Sequence, residues 1–554
     1  MFRPLAPFLA AAFCSMAAVA QDPPPSPPLP GLTEQRLANG ADLILVSRPG
    51  SGAFHASLFF RQGGVDEPPQ LLGATEILAR CLLGPAWPED LEEDATLDAM
   101  LTQEDGLAEE LRVARLQAKG PSPRVDDLKA AHDAVMARLE ARFDHTASGE
   151  IYGRAGGGDS QAVDTRDFLA SGVELPTSAF HLWCETESDR LRHMVLSRLP
   201  FARASLVADL RSGAFPKDPA VAVLLGAALP GHPYGRNLAD YAAAVAALRR
   251  DELRAYAQRA CGPGRMAIVL VGDLDPASAL PELQKTLGAL PETEPPEAPV
   301  LPDLNLALGD RRVQIQGEGF RLLVGWRIPA RTDPDAPALE LIARILGGGP
   351  SARLSRRLKG LATDISVTAG RPGARYPNLL VVDAEPLPGH SLQEVEDAVE
   401  SEILRLRQTP VSQDEWNRAI AQLDLARLDT ESDASDLTAA LGVAWAQTGS
   451  WRGFTGDEAR LRAAGPEALQ RAAATWLLPS HRTLVEVVPD PSHRLDEQDR
   501  AFMEVLRALA ARKVEDPAQR ESLVGEGLRQ FQMLPQAERA KTLDLLRQQL
   551  KGAK

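Results

Sequence analysis

Cysteine is scarce in this chain: four residues in 554, one of them, Cys14, within the first twenty. The other three, Cys81, Cys184 and Cys261, are widely spaced and odd in number. That excludes a disulfide framework and a cysteine zinc cluster; at most one bridge can form, and buried free thiols are the plainer expectation. Histidine is thin as well, nine residues with no two within five positions of each other. A local two-imidazole metal motif is therefore absent from the sequence. Past the first twenty residues no apolar run is long enough to cross a bilayer. Basic charge is outnumbered, with Lys+Arg 60 against Asp+Glu 76 and a net charge of -16. That balance argues against nucleic acid and anionic membrane surfaces as partners, and is compatible with a basic peptide.

What the chain does contain is globular composition, 44% hydrophobic and 25% charged, over a length that needs more than one domain. Residues 1–20 read as a secretory leader: Arg3, an apolar run from Leu5 to Ala17, then Ala18-Val19-Ala20. Export, to a bacterial periplasm, is the expectation. The pattern divides the remainder into a Pro-rich linker at 21–31, a first half at 32–285 and a Pro/Glu linker at 286–305. A second half at 306–490 and a helical extension at 491–554 follow. The first half opens with a hairpin turning at Asn39-Gly40 and an alternating strand from Phe54 to Arg61. A helix is expected over Leu71–Leu83. A charged insertion at 88–150 carries two runs of leucine and valine at helical spacing, broken at Lys119-Gly120-Pro121. Its default reading is a solvated helical hairpin. The second half repeats the strand–helix order and ends in Arg482–Pro489, a counterpart of residues 265–273, which suggests an internal duplication.

The stretch Phe59-Phe60-Arg61-Gln62-Gly63-Gly64-Val65-Asp66-Glu67-Pro68, followed by Leu71 to Leu83, organises the first half. It resembles the signature of the insulinase/pitrilysin metallopeptidases, the inverzincins, which place H-x-x-E-H on a helix after such a turn. The resemblance runs over roughly 32–490 and includes Glu187-Ser188-Asp189-Arg190-Leu191, Gly231-His232-Pro233-Tyr234-Gly235-Arg236 and Leu346-Gly347-Gly348-Gly349-Pro350-Ser351-Ala352-Arg353-Leu354. It implies an α+β fold of two homologous halves, each a mixed β-sheet covered by helices as in mitochondrial processing peptidase, in a clamshell arrangement.

On the signature's frame, Glu76 stands at the first His, Ala79 at the catalytic Glu and Arg80 at the second His. An H-x-x-E-H helix holds zinc with imidazoles at i and i+4, and its Glu takes a proton from the metal-bound water. Ala79 has no proton acceptor, and Arg80 is a permanent cation that cannot coordinate one. Glu76 and Arg80 are instead in the favourable order for a helical ion pair. Asp209 falls at the third ligand place, on a helix where Ala202 replaces a supporting Glu, and is expected to pair with Arg80. Arg353 is kept where active members contact substrate, but their following Tyr is Thr363 here. The resemblance thus implies a non-catalytic subunit: no catalytic residue, no cofactor (zinc only if this reading of the motif fails), and an active zinc peptidase of the same family as partner. Peptides remain possible ligands. The alternatives are a structural or binding protein without protease chemistry, and an atypical zinc metalloendopeptidase.

Overall fold

The computed structural model describes residues 29–82, 95–143, 148–194, 196–212, 218–295, 297, 301–302, 309–489, 497–512, 514, 517–532, 534 and 536–552. The expected leader and most of the linker after it lie outside these, as do parts of 286–305 and of the insertion's edges. In the first half the order is β1 Leu32–Arg36, β2 Asp42–Ser47, β3 Ala53–Phe60, α1 Ala74–Leu82, α2 Ala95–Gln117, α3 Pro123–Phe143, α4 Ser148–Arg154, β4 Gln161–Asp164 and β5 Leu169–Pro176. Then come α5 Phe180–His193, α6 Leu199–Ser212, α7 Pro219–Ala228, α8 Ala242–Ala246, α9 Arg250–Ala260, β6 Met266–Gly272 and α10 Pro276–Lys285.

The six strands form one sheet in the order β1-β2-β6-β3-β5-β4. β6 runs parallel to β2 (Ile44↔Val269) and antiparallel to β3 (Ala56↔Leu270), and all seven of its residues are buried. A central strand covered on both faces must be apolar at successive positions, not alternate ones. One set, including Leu43, Leu45, Phe54, Leu58 and Ile268, packs with residues of α1, α5, α6 and α9. The interleaved set, Ile44, Val46, Phe59, Val269 and Val271, meets a helix that belongs to the second half.

That half contains β7 Arg311–Gly317, β8 Arg321–Ile328, α11 Ala336–Gly347, α12 Arg353–Arg357, β9 Ala362–Arg371, β10 Asn378–Pro386, α13 Leu392–Gln408 and α14 Gln413–Ser432. It continues with α15 Ala434–Thr448, α16 Arg452–Ala463, α17 Pro466–Trp476 and β11 Arg482–Pro489. Its sheet runs β7-β11-β8-β10-β9, and Leu322, Val324 and Trp326 pack against residues of α11, α13 and α17. The architecture is the mixed α+β, two-sheet fold that the sequence implied.

The halves exchange helices. α15 lies on the first sheet, with Leu437, Leu441 and Trp445 among Phe59, Val269 and Val271. A Cβ at Gly442 would stand 2.1 Å from the Phe59 ring, so only glycine lets α15 come this close. In return Leu224 of α7 reaches Gly325 of β8, and Arg311 Nη1 donates to the Ala227 carbonyl at 2.8 Å. Between them runs a buried polar seam. Asp167 accepts from the backbone N–H of Ala374 at 2.6 Å, from Gln447 Nε2 at 3.1 Å and from the Tyr234 hydroxyl. Arg375 forks onto Asp66 at 2.7 and 3.1 Å. Buried charges persist only when paired and hydrogen-bonded in this way.

By compactness both halves form one unit, Met1–Val313 with Leu322–Val485, and a second unit comprises Gln314–Arg321 and Glu486–Lys554. The second contains α18 Glu497–Ala510, α19 Pro517–Gln532 and α20 Gln536–Gly552, whose Phe502, Val505, Phe531 and Leu543 form a small core of their own.

The insertion corrects one expectation. α2 and α3 do form a hairpin, but it is not simply solvated. Leu97, Met100, Leu101, Val135 and Leu139 bury a core against Phe201 of α6. Glu104, 1% exposed, accepts from Arg203 Nη2 of α6 at 2.6 Å and stands 2.9 Å from His132 Nε2. Arg250 of α9 adds an ion pair to Asp98 at 3.0 Å. The leucine spacing showed helix faces needing cover; α2 and α3 cover each other, and Phe201 and Arg203 of α6, the helix that carries Asp209, join them at the edge.

Candidate functional site

Gly73 adopts φ +87°, a left-handed conformation that suits glycine, and the helix starts only after it, at Ala74, three residues later than the apolar pattern suggested. Buried Glu67 caps the entry by accepting from the N–H groups of Gly73 (3.0 Å) and Thr75 (2.8 Å). Burial raises its pKa, and these bonds oppose the rise. α1 then buries Ala74, Ile77, Leu78, Ala79 and Leu82, leaving Glu76 and Arg80 on its outer face one turn apart. Ala79 is 5% exposed and belongs to the core, so a methyl group packs where the signature would hold a general base.

α6 buries Ala202, Leu206 and Leu210 and turns Ser205 and Asp209 toward α1. Arg80 fills the space between the helices. Its Nε and Nη2 donate to Glu76 Oε1 at 3.1 and 2.9 Å. Its Nη1 and Nη2 donate to Asp209 Oδ2 at 3.2 and 3.1 Å, and Nη1 also reaches Ser205 Oγ at 3.0 Å. The expected Arg80–Asp209 pair is therefore present, as one arm of a network of three charged residues with Ser205 at its edge. Burial disfavours the charged guanidinium, but Glu76 and then Asp209 outweigh it and its pKa is raised. Side-chain exposures of 28% for Arg80 and 40% for Asp209 keep the network's worth to roughly 1 kcal/mol.

A fourth member was not legible from the signature. Asp164, at the end of edge strand β4, hydrogen-bonds Glu76, and its carboxyl is pushed up to about 7, by burial first and then by the Glu76 charge. Burial and a neighbouring negative charge both disfavour an ionised carboxyl, so Asp164 keeps its proton to higher pH than a free aspartate does. Arg166 faces the same cluster; burial lowers its pKa while Glu67 and Asp164 oppose that. Ser205, four residues before Asp209, was open to a helical-spacing argument.

The donor set does not fit zinc. Glu76 and Asp209 offer carboxylate oxygens already engaged by a guanidinium, no imidazole among the described residues hydrogen-bonds to them, and Arg80 occupies the place of a ligand. Nothing here abstracts a proton from a metal-bound water at the position of Ala79.

The remaining motif residues have structural partners. His232 Nδ1 accepts from the Tyr234 N–H at 3.0 Å, which caps the turn, and burial, then Arg236, lowers its pKa to about 4. Arg190 donates to the Leu82 carbonyl and lies 3.4 Å from Glu187, bracing the end of α1. Arg353 stands on α12 in the second half, where Nε and Nη2 fork onto Glu415 at 2.8 Å each. Arg353, through its hydrogen bonds, is the main reason the Glu415 carboxyl falls to about 2. It lines a hollow with Arg356, Arg357, Arg405, Glu402 and Glu415.

Comparison with known proteins bears on the fold and on the family of the stretch that follows the site. The family model for the peptidase M16 inactive domain matches residues 247–423. An uncharacterised zinc protease of Mycobacterium leprae is 28% identical over 160 residues, covering 27% of this chain and 35% of that protein. The match thus spans about a third of that relative's length. Among solved structures, a protease from Helicobacter pylori superposes with a TM-score of 0.64 at 15% identity, over 83% of this chain and 100% of that one. The periplasmic protease PqqL of Escherichia coli superposes with a TM-score of 0.59 at 15% identity, over 91% of this chain and 50% of that one. The chain thus spans half the length of that protease. Residues 247–423 of this chain are thus similar to the peptidase M16 inactive domain, and the chain as a whole shares its fold with solved M16-like peptidases.

Proposed function

We propose that this protein is a non-catalytic member of the peptidase M16, or insulinase/pitrilysin, family that works as the inactive subunit beside an active zinc peptidase of the same family, supplying one wall of a peptide-binding chamber. The observation that carries this is Arg80. One lost ligand would leave a weak metal site, whereas a guanidinium bonded to both neighbouring carboxylates replaces the metal's charge and fills its space. The cluster keeps the two helices together without chemistry. Export to a bacterial periplasm, from the leader at 1–20, is part of the same proposal. Among the described residues no helix is long and apolar enough to cross a membrane.

The test uses the untagged mature chain, alone and mixed with a same-family peptidase that keeps H-x-x-E-H, recovered by co-purification from the native host. Alone, the chain should not hydrolyse peptides. Mixed, it should raise the partner's kcat/KM or shift its peptide preference. A partner whose turnover is indifferent to the chain would favour a purely structural or binding role. Chelator-sensitive hydrolysis by the chain alone would sink the reading and favour an atypical metallopeptidase.

A further inference from the structure

On the first half's helical layer, α5 and α10 bring together His181, Glu185 and Glu282, each offering one donor atom within 4.8 Å of the others. His181 and Glu185 are one turn apart on α5, and Glu282 reaches them from α10. His181 Nδ1 lies 2.8 Å from Glu282 Oε1, and its Nε2 lies 3.6 Å from Glu185 Oε1. We propose that His181, Glu185 and Glu282 form a divalent-metal site of the zinc class that clips α5 to α10, distinct from the abandoned motif on α1.

Two geometric arguments support it. An imidazole with two carboxylates is a donor set that zinc accepts with three protein ligands and water in the fourth place. Tetrahedral zinc at bonds of about 2.0–2.1 Å puts neighbouring donors about 3.3 Å apart, so the cluster needs only small rotations. The side chains of His181 and Glu185 are 60% and 57% exposed, so those rotations disturb no core packing. The second is that the three side chains are already gathered: the ion would take the place of the direct His181–Glu282 contact, with Glu185 completing the set from the next turn of α5. The cluster sits at the first turn of α5, while Arg190, nine residues on and about 14 Å along the axis, holds the Leu82 carbonyl of α1. The clip would thus fix the helix that braces the degenerate motif.

The test is a titration of the chelator-treated, untagged chain with Zn2+ alone, followed by calorimetry and by melting temperature. One site with Kd on the order of micromolar is expected, and X-ray absorption should report N/O ligation with imidazole and no sulfur. His181→Ala and Glu282→Gln should each weaken binding at least about tenfold and abolish the zinc-dependent rise in melting temperature. Asp209→Asn, on the old motif, should bind zinc as the parent does. No binding by the parent, or unchanged binding in folded His181→Ala, overturns the site. Loss in Asp209→Asn with retention in His181→Ala would put zinc at the old motif and overturn the proposed function too; circular dichroism confirms that each variant folds. Bound zinc that is lost with His181 and brings no hydrolysis leaves the non-catalytic reading standing.

Discussion

At the scale of single residues, the abandoned motif holds two opposed electrostatic devices. Arg80 draws Glu76 and Asp209 together, while burial and the Glu76 charge hold the proton on Asp164. The second device makes stability depend on pH. The Asp164 carboxyl rises from 3.8 to about 7 on folding, so the folded state binds its proton more tightly than the unfolded chain. The stability this contributes is complete below about pH 4 and is lost as pH climbs through 7. Asp164→Asn keeps the hydrogen bond to Glu76 and removes the titration. The variant should therefore gain stability relative to the parent at pH 8 and show little difference at pH 4, by urea unfolding at both values. A gain that is equal at the two pH values would show that Asp164 does not hold its proton more tightly in the folded state.

At the scale of elements, α6 ties the motif to the insertion. Its Ser205 and Asp209 engage Arg80, and Arg203, two residues before Ser205, enters the hairpin to meet Glu104. Arg203 is 7% exposed and Glu104 1%, so removing one partner strands a buried charge. Glu104→Ala should cost about 3 kcal/mol in chemical unfolding, although Asp105, 3.9 Å from Arg203, limits the loss. Glu104→Leu with Arg203→Met should recover much of it, since replacing both charges by apolar groups removes the penalty. A double variant no better than the single would mean that the pair itself holds the hairpin. Sequence showed part of this. The i,i+4 order of Glu76 and Arg80 announced their pair, and the family frame put Asp209 opposite. Glu104 and Arg203, 99 residues apart, share no local period, and heptad-like leucines reveal a face but not what covers it. Asp164 was hidden for the same reason, since β4 meets α1 only through sheet order.

At the scale of the whole chain, the duplication is more than two similar halves in series. Each half's sheet meets a helix from the other, α15 on the first and α7 on the second, and Asp167 and Arg375 fasten the seam between them. The covalent link through 286–305 should then be dispensable once the chain has folded. A protease site introduced at 303–308 and cut in the native protein should give two fragments that elute together in gel filtration and unfold in one transition. The apolar area beneath α15, including Phe59, Val269 and Val271, would otherwise face water, at a cost of about 25 cal/mol per Å². Gly442→Val offers the complementary arm. A branched side chain placed 2.1 Å from the Phe59 ring must lift α15 from β3, so the cut variant should separate at concentrations where the cut parent stays paired. Fragments of the parent that part spontaneously would show that the helix exchange holds the halves only with the linker's help. Fragments that stay paired equally well with valine at 442 would move the main attachment from α15 to the Asp167–Arg375 seam.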